Sequence, residues 1–253
     1  MNLLIDLDGV LRFGNKTADF LDEFFQFIQN ENVKAVILSN STLSNADSIY
    51  GFFRENNKPI KIPVMTAADA AFQFSKENYS SVRTYCNDTI KKMFAEIENE
   101  LNPDAIVIGD IGDAWNFGIM NQIFLHVKNG ADLIAMQTNR FWNDPDKGLL
   151  LDVGPFVKAI EYATETEAKL IGKPSPLYFE AALNLIGSEK NDEFYMIGDD
   201  LETDIRGAQL SGGKGILIYT GKTNYPLSAT NKIKPDYEVF NLREAVQLLQ
   251  TLI

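Results

Sequence analysis

Asp6 and Asp8 flank a single leucine in LLIDLDGVL, and Gly9 follows them. Side chains at i and i+2 leaving an extended run project to one side, and Gly9 lets the backbone turn without a Cβ penalty. Far downstream, MIGDDLETD carries Asp199, Asp200 and Asp204. Four or five converging carboxylates repel one another unless a cation neutralises them. An oxygen-rich set of this kind suits Mg2+, which takes one or two carboxylates, waters and phosphate oxygens. Asp204 has a rival reading as the cap of the following helix, with Thr203 beside it. In ILSNS, Ser39, Asn40 and Ser41 offer hydroxyls, an amide and backbone N–H groups ahead of a helix. That makes either an anion-binding corner or a simple cap. In IGKPSP, Pro174 biases the backbone of Lys173 toward an extended form.

These parts suit phosphoryl transfer. A carboxylate such as Asp6 can attack phosphorus and form an aspartyl-phosphate. A second carboxyl, Asp8, can protonate the leaving oxygen and then deprotonate the attacking water. Mg2+ screens the approach of an anionic nucleophile to an anionic ester. Lys173 and the Ser39–Asn40 corner would hold the remaining phosphate oxygens.

The elements that must position these residues alternate along the chain. Short apolar runs read as strands: NLLIDL, KAVILSN, SSVRTY, DAIVIG, DLIAMQ, AKLIG, EFYMIG and GKGILIY. Helix-length segments separate most of them, including an amphipathic stretch over 18–30 and another around 43–55. Strands alternating with helices predict an α/β fold built on parallel sheet. Ligands in such sheets sit beyond the carboxyl ends of the strands, where Asp6, Ser39, Lys173 and Asp199 all fall.

Composition narrows the function. Asp plus Glu outnumber Lys plus Arg by 35 to 23, for a formal charge of −12. That balance opposes general nucleic-acid binding and a basic membrane anchor. No run approaches the ~20 apolar residues of a membrane-spanning helix, and the N-terminus lacks a basic leader. A single cysteine, Cys86, allows no intrachain disulfide, which fits a reducing, cytoplasmic setting. A cysteine phosphatase loop would need Arg six residues after Cys86, where Lys92 stands. The lone histidine, His126, falls in an amphipathic helical stretch and reads as structural. VIGDIGD, at 107–113, mimics the acidic motif but reads as a turn, and GLLLDVG is apolar enough to be core.

Taken in order, DLDGV, LSNS, GKPSP and GDDLETD resemble the four motifs of the haloacid dehalogenase superfamily. The resemblance covers nearly the whole chain. It implies a Rossmann-like doubly wound parallel sheet core with Asp6 as nucleophile and Asp8 as general acid/base. Ser39, Asn40 and Lys173 become phosphate ligands. Mg2+ is held by Asp6, the backbone carbonyl of Asp8, and Asp199, with Asp200 and Asp204 behind them. The 134 positions from Ser39 to Lys173 leave room for an inserted smaller α/β cap. That gives a core over 1–70 and 170–253 and a C2-type cap over 71–169, as in 4-nitrophenylphosphatase-like, nucleotide and pyridoxal phosphate phosphatases. In such proteins cap residues select the substrate. Here MQTNRFWND supplies Thr138, Asn139, Arg140 and Phe141, with Trp142 beside them.

The expected function is therefore a Mg2+-dependent phosphatase of a small phosphorylated metabolite. The alternatives are a phosphomutase or phosphoprotein phosphatase of the same fold, or a non-catalytic phosphometabolite binder. The resemblance also implies a homodimer as a candidate assembly.

Overall fold

A computed structural model of the chain describes residues 1–144, 147–189 and 192–253. The chain divides into two units. One comprises Met1–Ser39, Ala46–Met65 and Lys173–Ile253, and the other Asn40–Asn45 and Thr66–Gly172.

In the first unit, the run NLLID forms a strand, Asn2–Asp6, buried along its whole length. Unbroken burial is what a central parallel strand covered on both faces requires. It pairs in parallel with Lys34–Ser39 on one side and Phe194–Gly198 on the other. Lys214–Ile218 and Tyr237–Val239 extend the sheet beyond Phe194–Gly198, and Val64–Thr66 closes the opposite edge. The two edge strands have three residues each, too short to carry a periodic signal in the sequence.

The strand order explains where a site can form. From Asn2–Asp6 the chain steps to one side, and only after the second unit does it return on the other side. The crevice beyond the carboxyl ends of Asn2–Asp6 and Phe194–Gly198 is thus a topological switch point. Register aligns Ile5 with Ile197 and Asp6 with Leu38. Asp6, Asp199 and Ser39 therefore leave neighbouring strands at nearly one level.

Amphipathic helices cover the sheet. Leu21–Asn30 buries Leu21, Phe24, Phe27 and Ile28, and Leu242–Leu252 buries Leu242, Ala245, Val246 and Leu249. Both sets follow the 3.6-residue period. The Asn241 side chain accepts the Glu244 N–H at 2.9 Å and caps the second of these helices.

The second unit has its own parallel sheet, ordered Lys169–Leu170, Asp132–Ala135, Ala105–Ile108, Val82–Tyr85. Its core joins Ile106, Ile108, Ile123, Leu133 and Val157. His126 sits half-buried on the helix Phe117–Lys128. Cys86 is buried, and burial pushes its thiol up to about 12, so no thiolate forms near neutral pH. VIGDIGD runs from a strand into a turn in which Asp110 accepts the Gly112 N–H at 2.7 Å. GLLLDVG departs from the core placement expected of it. Gly148–Leu151 pairs with Phe141–Asp144 as a two-stranded ribbon, leaving Leu149 68% and Leu151 65% exposed. Apolar composition cannot separate a buried strand from a ribbon lacking a covering layer.

Among the described residues no helix is long and apolar enough to cross a membrane.

Candidate active site

Lys173 is the centre of the acidic cluster. Its ammonium donates to Asp6 Oδ1, and to Asp204 Oδ1 at 2.6 Å. All three side chains are buried. Carboxylate oxygens of Asp6, Asp199 and Asp204 lie within 4.8 Å of one another. Asp204 Oδ2 also accepts the Asp200 N–H at 3.1 Å. Gly198 permits this approach, because a Cβ there would collide with the Asp204 side chain. Asp204 therefore does not cap the following helix. Asp200 does, accepting the Glu202 N–H at 2.9 Å.

Asp199 is clamped by glycines. A Cβ on Gly9 or on Gly221 would run into its Oδ2, and Gly9 has the positive φ of 87° that favours glycine. The same oxygen accepts the Lys222 N–H at 2.6 Å, and the Asp199 carbonyl accepts the Thr223 N–H at 3.1 Å. The Thr220 hydroxyl ties this loop back to the Gly9 carbonyl at 2.5 Å. The Lys222 ammonium pairs with Asp200.

The electrostatics follow from one buried cation facing three buried carboxylates. Burial raises the Asp6 carboxyl well above its ordinary range; Lys173 opposes the rise, while Asp204 and Asp199 add to it. Burial likewise raises Asp204 despite Lys173. Asp199 is pushed up to about 7, first by burial and then by the charge of Asp204. Burial disfavours the Lys173 ammonium too, but Asp204 and Asp6 outweigh it and hold the group protonated. Lys173 gains from both anions, whereas each carboxylate shares one cation with like-charged neighbours. Asp200 goes the other way: burial opposes ionisation, and Lys222 overcomes it.

Asp8 stands apart from this cluster. Its side chain is 54% exposed, and both its oxygens accept hydrogen bonds from Arg12, at 2.7 and 2.9 Å. Ser39 is buried at its strand end, where the Tyr178 hydroxyl donates to the Ser39 and Met65 carbonyls at 2.9 and 2.7 Å. Asn40 begins the second unit, its side chain close to Gly172. In that unit Thr138 and Asn139 are half-buried, with their carbonyls against Gly154, and Arg140 and Phe141 are exposed.

A family profile described as HAD-hydrolase-like matches residues 170–245. A bovine protein named haloacid dehalogenase-like hydrolase domain-containing protein 2 is 32% identical, over 92% of this chain and 88% of its own. The chain belongs to the haloacid dehalogenase-like hydrolases. Human phospholysine phosphohistidine inorganic pyrophosphate phosphatase is another relative, 32% identical over 98% of this chain and 93% of its own. In fold, the hydrolase matches the crystal structure of 4-nitrophenylphosphatase from Thermotoga maritima with a TM-score of 0.88. That pair is 22% identical, over 97% of this chain and 96% of the other. The α/β fold and the family expected from the four ordered motifs are both found.

Arg12 and the loop Thr220–Thr223 lie outside the four motifs, yet each holds a site carboxylate. The loop follows the strand Lys214–Ile218 of the same sheet. Its position beyond a carboxyl end was the available signal.

Proposed function

We propose that this hydrolase is a Mg2+-dependent phosphatase of small phosphate monoesters that works through a phosphorylated Asp6. The observation that carries the reading is the buried Lys173, bridging Asp6 and Asp204 at the switch point of the sheet.

The donor set fits Mg2+. Three buried carboxylates supply hard oxygen ligands, and a single buried ammonium leaves them with excess negative charge. Asp6 Oδ2 and Asp199 Oδ1 accept no hydrogen bond among the described residues. Those two residues, with the Asp8 carbonyl, are the proposed ligands, while Asp204 has both oxygens engaged and orients Lys173. When bound, Mg2+ would supply positive charge against the phosphate oxygens as charge shifts during transfer.

In the first step an Asp6 oxygen attacks phosphorus, the ester P–O bond breaks, and Asp8 gives a proton to the leaving oxygen. In the second, water attacks the phosphorus of the aspartyl-phosphate and passes a proton to Asp8. The bond from phosphorus to Asp6 then breaks, releasing inorganic phosphate. Lys173 neutralises Asp6 as it approaches an anionic ester, and Ser39 and Asn40 would donate to phosphate oxygens. The second unit would act as the cap, with substrate choice falling to Thr138, Asn139, Arg140 and Phe141.

Asp6→Asn tests the reading. Phosphate release from p-nitrophenyl phosphate with Mg2+ should fall by about 10³-fold or more, as for loss of a covalent nucleophile. Turnover retained in the variant would refute the role of Asp6.

A further inference from the structure

Arg12 grips both oxygens of Asp8 in a two-pronged pair, Nε to Oδ1 at 2.7 Å and Nη2 to Oδ2 at 2.9 Å. Such a fork fixes the plane of a carboxylate as well as its position. The guanidinium lies 5.4 Å from the centre of the Phe52 ring, on the helix Ala46–Glu55. Arg12 is 18% exposed against 54% for Asp8, so the anchor is better buried than the group it holds.

The turn between them is held without the arginine side chain. The Leu7 carbonyl accepts the Leu11 and Arg12 N–H groups, each at 2.9 Å, and the Gly9 N–H donates to the Arg12 carbonyl at 2.9 Å. The Thr220 hydroxyl fixes the Gly9 carbonyl from the neighbouring loop. Among the described residues, the side-chain hydrogen bonds of Arg12 go only to Asp8. What the guanidinium adds is the orientation of one carboxyl group.

We propose that Arg12 is a positioning residue that fixes the Asp8 carboxyl for proton transfer to the leaving oxygen. This rests on the phosphatase reading above, in which Asp8 moves that proton. An alkyl phosphate has a poor leaving group and depends on the proton, whereas p-nitrophenolate departs with little help. Arg12 therefore matters more for the first than for the second. A role confined to fold stability or phosphate binding has no such preference.

The test compares glycerol phosphate with p-nitrophenyl phosphate for the wild type, Arg12→Leu and Arg12→Lys, all with Mg2+. In Arg12→Leu the ratio of kcat/KM on the alkyl ester to kcat/KM on the aryl ester, which reports the first transfer and not the hydrolysis common to both esters, should fall about 10- to 100-fold, as expected when a proton donor is misplaced. Arg12→Lys keeps the charge without the fork and should recover part of the ratio. An unchanged ratio of kcat/KM overturns the assignment. A second readout needs no turnover. Three-bond NMR couplings of Asp8 should report one side-chain rotamer in the wild type and averaged values in Arg12→Leu, and identical couplings also overturn it. Failure of the wild type to release phosphate from either ester would instead sink the phosphatase reading, leaving the couplings to decide the role of Arg12.

Discussion

Replacing Lys173 by Met isolates the electrostatics of the site, because it keeps most of the side-chain volume and removes the charge. Lys173 is 3% exposed, and its two partners, Asp6 and Asp204, are 8% and 1% exposed. Removing one member of a buried ion pair costs about 3–5 kcal/mol, because the partner is left buried and uncompensated. Here two carboxylates lose their cation at once, and Asp199 stands beside them. Part of the cost is avoided by protonation. The folded-state pKa values of Asp6 and Asp204 are already raised by burial, and loss of Lys173 raises them further. A carboxyl whose folded pKa lies above its unfolded value of about 4 holds a proton that the unfolded chain has released. Its stability contribution is present at low pH and disappears as pH rises through the folded pKa. The penalty of Lys173→Met should thus be small near pH 4.5 and approach about 3–5 kcal/mol near pH 8. Both tryptophans, Trp115 and Trp142, lie in the second unit. Unfolding of the first unit is better followed by far-UV circular dichroism in urea with chelator present, and by hydrogen exchange of Asn2–Asp6 and Phe194–Gly198. The double variant Lys173→Met/Asp204→Asn should recover part of the loss at pH 8. A penalty below about 1 kcal/mol at every pH would refute the view that Lys173 neutralises these carboxylates.

The pKa of Asp199, raised to about 7, gives a related dependence on pH. In the metal-free protein its contribution, up to about 4 kcal/mol, is present below pH 4 and lost as pH rises toward 8. Mg2+ should offset that loss, so the gain in Tm on adding Mg2+ should be larger at pH 8 than at pH 6; an equal gain in Asp199→Asn would exclude Asp199 as a ligand. Gly221→Ala would press a methyl group into Asp199 and should weaken Mg2+ binding about tenfold or more, measured by calorimetry; unchanged affinity would refute the clamp. Gly9→Ala adds the strain of a positive φ, about 1 kcal/mol of stability in urea, to the same loss of Mg2+ affinity.

Much of the fold could be read from local pattern. NLLID, KAVILS and FYMIG are unbroken apolar runs that have to be buried on both faces, and each became a central strand. The helices Leu21–Asn30 and Phe117–Lys128 likewise follow from periodicity. Less could be read at the sheet edges and in the ribbon Phe141–Asp144 with Gly148–Leu151. There apolar content is decoupled from burial, because what covers a side chain is set by distant segments.

Which residue types sit at the ends of which strands, and hence the family, is written locally in the chain. Asp6, Ser39, Lys173 and Asp199 stand in order in four short motifs, each fixed by strand-forming residues on its N-terminal side. Which charges meet was settled by folding. Asp204 turned inward onto Lys173 and left the helix cap to Asp200, while Asp8 turned outward onto Arg12. Gly9 and Gly221, more than 200 residues apart in sequence, came to hold Asp199 between them. The physical reason is that charge pairing and burial depend on separation in space. For residues so far apart along the chain, strand order and register set that separation, and no local preference encodes either.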